Sequence, residues 1–308
     1  MVVGYNFGKL LFKGGISMKI TFLTLGSRGD VQPYTALAKE LIKNGHQAAI
    51  CTGASFEKFI QENNIAFHEA EADLMGILES EEGKKIFNGG RFNLSKMLKF
   101  TKTVIGPAYR KSMDDFLEAA RGSDLIAYHP KALGAADIAE YLNIPCICMP
   151  PVPIIYPITE IPNLAVSASK DFGPFLNKLT YKIAAFGESP FMKAINEFRN
   201  TSLKLPKRKV GERTYSIQGK PIPILYPISP FLFKEVESWK DRVFLTGFLF
   251  LEENQAVLGE ELEDFLARGR RPIVISFSSM PLQDPDSFKD KLVKALKETN
   301  NRAVILTG

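Results

Sequence analysis

The residues best placed to do chemistry are Gly26-Ser27-Arg28-Gly29-Asp30. A carboxylate takes a proton from a bound hydroxyl only weakly unless burial raises its pKa. Gly26 and Gly29 let the backbone turn tightly beside it. Asp30 also suits a helix N-cap, a role compatible with chemistry. The dinucleotide fingerprint G-x-G-x-x-G is missing, which disfavours a nucleotide-cofactor oxidoreductase. Arg28-Gly29-Asp30 reads as an adhesion tripeptide only in a secreted loop, and the chain does not look secreted. His129 follows Tyr128 at the end of a strand, on the ligand side. His46, after Asn44-Gly45, suits a helix C-terminus. Cys51, Cys146 and Cys148 form no C-x-x-C pair, and with three histidines a structural metal is not expected. Buried thiols in a reduced, cytoplasmic compartment fit best.

These residues need elements to hold them. Strand runs are expected at 19–25, 47–51, 66–69, 125–128 and 146–149, and helices at 32–44, 55–62, 107–120 and 133–142. Alternation of this kind implies a parallel sheet covered by helices, and places Asp30 at the carboxyl end of the first strand, where open α/β sheets bind ligands. Asp30 falls where the first helix begins, with Pro33 in its first turn. The proline-rich segment 150–157 reads as an extended surface loop. Helical pattern resumes over 173–200, tract 204–220 is basic and loop-like, and 222–226 and 243–245 read as further strands of the same sheet. A linker is expected at 249–259, followed by helix 260–268, strand 273–277, helix 287–299 and strand 302–306.

Phe87 to Met113 interleaves Lys96, Lys99 and Lys102 with Phe92 and Met97 and contains no acidic residue. That pattern suits an element on an anionic membrane surface, peripheral at the inner face, and equally an amphipathic helix with a solvated basic face. Nucleic acid is a poor fit, since a net charge of +5 is modest for 308 residues and no recognition motif is present. That length predicts two domains, and no apolar run is long enough to span a bilayer. Met18 opens the first strand directly and is the expected natural start, with 1–17 an N-terminal extension.

Gly26-Ser27-Arg28-Gly29-Asp30-Val31-Gln32-Pro33 resembles the first loop of glycosyltransferase family 28 and the related family 1 enzymes of sterol glucosyltransferase and macrolide or glycopeptide type. Asn44-Gly45-His46, the stretches Ser123 to Pro130 and Ala136 to Pro145, and Val243 to Phe248 resemble later steps of the same domain. Pro272 to Met280 resembles the strand and loop that open the second. The likeness runs from about Met18 to the last residue.

The resemblance implies a GT-B fold: a Rossmann-like acceptor-binding domain at 18–248 and an incomplete nucleotide-sugar-binding domain at 260–308. It implies inverting transfer of a hexose, from UDP-glucose by expectation, to a hydroxyl of a lipid, sterol-like or other hydrophobic acceptor. Asp30 is the implied base. Gly26, Ser27, Arg28, Gly29, Ser278 and Ser279 are implied near the donor phosphates, although Ser276 and Ser278 stand where glycines are usual. Phe92, Lys96, Met97, Lys99, Lys102 and His129 are implied on the acceptor or membrane side. The nucleotide sugar is a co-substrate, and neither a bound cofactor nor a metal is implied. The His-Gly-Gly-Ala-Gly-Thr-like turn and Asp-Gln pair of the second domain are absent from the sequence, so a truncated chain, inactive alone, is expected. The alternative is a non-catalytic module that binds a lipid or a partner.

Overall fold

The computed structural model describes residues 17–80, 99–167, 169–232, 236, 239, 242–251, 258–276 and 284–306. The chain divides into two compact units, Met1–Met75 with Thr101–Leu251, and Gly76–Phe100 with Glu252–Gly308.

In chain order the first unit carries β1 (Lys19–Leu23), α1 (Arg28–Lys43), β2 (Gln47–Thr52), α2 (Glu57–Gln61), β3 (Ala66–Glu69) and the start of α3 (Leu74–Glu79). It continues with α4 (Gly106–Ala120), β4 (Leu125–Tyr128), α5 (Ala135–Leu142), β5 (Cys146–Cys148), α6 (Pro174–Ala185) and α7 (Met192–Thr201). A short hairpin of β6 (Ser216–Ile217) and β7 (Lys220–Pro221) precedes β8 (Ile224–Tyr226) and β9 (Val243–Leu245). Seven strands form one sheet in the order β3-β2-β1-β4-β5-β8-β9. Every pairing within it is parallel.

A parallel sheet needs cover on both faces, and the period-two side-chain pattern supplies two apolar ones. Ile20, Phe22, Leu125, Ala127 and Leu225 pack against Val31, Tyr34, Ala38 and Leu41 of α1. Leu23, Ile126, Tyr128, Cys146, Cys148, Ile224 and Tyr226 share a core with Met113 and Phe116 of α4, Ile138 of α5 and Ile195 and Phe198 of α7. The three cysteines are free and buried, and burial pushes the Cys146 thiol up to about 12. Beside α1 an apolar cavity of about 410 Å³ opens, lined by Phe22, Leu37, Leu41, Ala127, Ile147 and Leu225 among others.

Three expectations change. The first helix begins at Arg28 rather than Gln32, so Ser27 is the N-cap, Asp30 is the third helical residue and Pro33 lies in the second turn. The proline-rich segment is partly interior: Pro153 and Ile155 are buried, and the amides of Ile155 and Tyr156 donate to Tyr226 Oη at 3.4 and 3.1 Å. The helical stretch 173–200 breaks at Phe186–Phe191, where Gly187 and Pro190 interrupt the α-helical ladder.

The basic tract 204–220 is loop-like as expected, apart from the β6–β7 hairpin, and its arginines neutralise buried acids. Arg208 of this tract and Arg199 of α7 both bond the fully buried Asp137. Arg199 and Arg213 bond Glu140, each at 2.8 Å, and Arg208 meets Glu188 at 2.7 Å. Three cations face three anions.

In the second unit α8 (Glu260–Ala267), β10 (Ile273–Ser276), α9 (Pro285–Glu298) and β11 (Ala303–Leu306) follow in order, with β10 and β11 parallel. Asp284 caps α9 by accepting the Ser287 N–H at 3.0 Å. Ile273 and Val274 of β10 are exposed.

Candidate active site

β1 and β4 are neighbours in parallel, with Leu23 opposite Tyr128, so the segments leaving their carboxyl ends emerge together. The His129 N–H donates to Leu23 O at 2.8 Å and fixes one exit against the other. After β1 the backbone turns through Gly26 at φ +137°, a conformation that disfavours any side chain. A Cβ there would stand 2.1 Å from Asp30 Oδ2, so glycine also makes the room that the carboxylate occupies.

Asp30 reaches back over the first turn of α1 and accepts the Ser27 N–H at 2.8 Å, the acidic half of a capping box. Thr24 Oγ1 donates to Asp30 O at 2.7 Å and holds the backbone. Lys131 Nζ lies 2.8 Å from Oδ2, and His129 Nε2 lies 3.2 Å from Oδ1. His129 Nδ1 accepts the Lys131 N–H at 3.0 Å. The imidazole proton therefore sits on Nε2, and the ring donates to Asp30 in its neutral form. Tyr34 is fully buried, packs its ring 6.3 Å from that of His129, and donates its hydroxyl to Met149 O. This bond ties α1 to the chain leaving β5.

Burial alone would raise the Asp30 carboxyl, but the hydrogen bonds from His129 and Lys131 and the charge of Lys131 outweigh it and hold the group well below the usual carboxylate range. The sequence led to the opposite expectation, a carboxylate raised by burial. Burial lowers His129, and the Asp30 charge only partly opposes this. Oδ2 receives both Ser27 and Lys131, whereas Oδ1 receives only His129 among the described residues. Oδ1 thus has a lone pair for an incoming hydroxyl. The Lys131 side chain is 45% exposed, so the cluster meets solvent on that side.

The loop serves the carboxylate more than an outside anion. Gly26 is buried and the Ser27 amide is engaged by Asp30, whose charge would repel a phosphate at the same turn. Arg28 and Gly29 are exposed, and the Arg28 guanidinium lies over the Phe59 ring at 4.5 Å, with Nε donating to Gln32. His129 belongs to the Asp30 cluster rather than an acceptor or membrane surface, because it is 3% exposed and bonded on both nitrogens. Lys99 and Lys102 are exposed just before α4. Phe92, Lys96, Met97, Ser278 and Ser279 lie outside the described residues. His46 closes the end of α1, with its N–H on Leu41 O at 3.1 Å and its Nδ1 accepting the Met18 N–H at 3.2 Å.

Lys131 was not singled out in the sequence. Its signal was positional: it lies two residues past His129, and β4 neighbours β1.

His129 gives the site a measurable pH signature. Its folded-state pKa lies below the ordinary 6.5, so below that pH the unfolded chain binds the extra proton and the folded chain does not. Stability therefore falls as pH drops from about 7 to about 5, and His129→Gln flattens that part of the profile, read as urea midpoints at each pH.

The sequence profile of the glycosyltransferase family 28 N-terminal domain matches residues 20–146. A sterol 3-beta-glucosyltransferase of Gibberella zeae is 29% identical over 317 residues, covering 98% of this chain and 21% of its own length. One from Arabidopsis thaliana is 28% identical, covering 94% of this chain and 47% of its own. The chain thus spans about a fifth and about half of these two relatives. The solved glycotransferase of kitacinnamycin superposes with a TM-score of 0.60 at 13% identity, covering 96% of this chain and 66% of that one, a likeness of fold.

Proposed function

We propose, from the premise that residues 20–146 are a glycosyltransferase family 28 N-terminal domain, that the protein containing this chain transfers a hexose to a hydroxyl of a sterol-like lipid. In this reading residues 18–248 bind the acceptor, 249–259 link, and 260–308 begin the nucleotide-sugar domain. The donor is UDP-glucose and the reaction inverts the anomeric centre. The acceptor oxygen bonds to C1 of the sugar as the C1–O bond to the diphosphate breaks. UDP leaves, and the hydroxyl proton passes to Asp30 Oδ1. His129 and Lys131 position the carboxylate and do not themselves take the proton.

The observation that supports this reading is the buried, ionised Asp30 at the carboxyl end of β1, with one oxygen left for a hydroxyl. Its low pKa is compatible with the role. An alcohol proton becomes strongly acidic once the new C–O bond is forming, so a weak base suffices if it is aligned and charged. Among the described residues no helix is long and apolar enough to cross a membrane. We place the protein in the cytoplasm, in peripheral contact with the membrane that holds its acceptor.

The test is transfer of radiolabel from UDP-[14C]glucose to sterol presented in vesicles, followed by chromatography of the lipid extract. Labelled steryl glucoside is the expected product. Label that moves to no lipid, although the donor binds, would refute the acceptor class.

A further inference from the structure

Helix α6 (Pro174–Ala185) turns much of its apolar surface to water. The side turned to the domain carries two polar groups beside Tyr181, whose ring joins the core. Asn177 is 1% exposed and donates to Thr159 O at 2.9 Å, Thr180 Oγ1 accepts the Asn163 N–H at 2.7 Å, and Tyr181 is fully buried. The side turned to water is apolar: Phe175 is 80% exposed, Leu176 48% and Leu179 44%, and Phe186, just past the helix, is 62% exposed. Burying amides while leaving phenylalanine in water reverses the usual order of a globular surface. A contiguous exposed apolar patch of this kind marks a place where something docks.

The surrounding charge selects the occupant. At about 100° per residue, Phe175 and Leu179 lie close on one stripe, and Lys178 and Lys182 line one edge of it. Both lysines are exposed, and α6 contains no acidic residue. Asp171, before the helix, is exposed but accepts the Gly173 N–H and Asn177 Nδ2, at 2.8 Å each. A second copy docking through the same face would set lysines against lysines. A phenylalanine and leucine stripe bordered by lysines instead matches a helix lying in a lipid headgroup layer.

We propose that α6 docks this domain on a bilayer surface containing anionic lipid. Phe175, Leu179 and Phe186 enter the headgroup and acyl boundary, and Lys178 and Lys182 sit at the level of the lipid phosphates. The proposal does not depend on sugar transfer, because docking requires no turnover, and it places membrane contact on residues that the sequence reading did not select.

The experiment floats the 308-residue chain with vesicles of phosphatidylcholine alone or with about 30% phosphatidylserine. The chain is expected to rise with the anionic vesicles. Phe175→Ser with Leu179→Ser weakens the partition about tenfold or more. Lys178→Glu with Lys182→Glu weakens it about tenfold on anionic vesicles only. Phe175→Trp supplies a gain of signal, since indole emission shifts to the blue on anionic vesicles, against the constant background of the buried Trp239. Absence of flotation, flotation unchanged by the serine pair, or a Phe175→Trp emission that ignores vesicles would each overturn the proposal. So would a dimer in sedimentation velocity that the serine pair dissociates, which would give the face to a second copy. Success or failure of the sterol assay is read separately.

Discussion

Replacing Asp30 with Asn lowers turnover of the protein that contains this domain by about two to four orders of magnitude, while donor affinity changes by about twofold at most. Asparagine keeps the shape of the side chain and an oxygen that can accept the Ser27 N–H, so the start of α1 survives. What is lost is the negative charge and the lone pair of Oδ1 that would receive the acceptor proton. The loss falls on kcat because the proton moves only as the C–O bond forms. The lowered pKa sharpens the expectation. A base raised by burial would give turnover an acid limb within the neutral range. Asp30 stays ionised far below it, so no acid limb from this group is expected above about pH 4. Turnover is followed by steryl glucoside formation and donor affinity by calorimetry. A variant that works within about threefold of the parent would remove Asp30 from the role.

Asp137→Asn destabilises the first unit by about 3–5 kcal/mol, a large fraction of the roughly 5–15 kcal/mol available to a domain. Asp137 is completely buried and receives Arg199, whose side chain is 1% exposed, and Arg208, whose side chain is 3% exposed. Neutralising it leaves two guanidinium groups in the interior with Glu140 and Glu188 as the remaining anions, three positive charges against two. The cost is mainly that of an uncompensated buried charge, not of one missing hydrogen bond. Glu62→Gln is the contrast, since its partner Lys58 is 3.8 Å away and both side chains stand in water. That change is expected to alter stability by less than about 1 kcal/mol. Urea midpoints with unchanged m-values decide both cases. A shift as small for Asp137→Asn as for Glu62→Gln would show that water reaches the cluster and screens it.

The sheet was legible in the sequence because its strands are short apolar runs and its helices carry ordinary stripes. β1, β2, β4, β8 and β9 fall where those runs predict them. Asp30 was legible because two glycines around a carboxylate at a strand end are a strong local signal. Its partners were less so. His129 and Lys131 reach Asp30 across about a hundred residues, through the pairing of β1 with β4, and adjacency in a sheet is a non-local property. The start of α1 was placed too late because Gly29 reads as part of the turn and Pro33 suits a first turn, whereas Ser27 and Asp30 together cap the helix early enough to include both. The partners of the basic tract 204–220 were not legible, because they sit on α5 and in the Phe186–Phe191 turn. The orientation of α6 defeated the pattern altogether. Periodicity finds an apolar stripe without saying that it points outward.

The order β3-β2-β1-β4 also has a consequence for the chain during its synthesis. Once β1, β2 and β3 have left the ribosome they can pair, but the other edge of β1 has no neighbour until Leu125–Tyr128 has been made. At roughly 5–20 residues per second that interval lasts about 5–20 s. Throughout it an apolar edge with free amides and carbonyls is open to the nascent chains of adjacent ribosomes. Chaperone demand for this protein is therefore expected to concentrate in the window between the emergence of β1 and that of β4, before the parts of its Asp30 site have met.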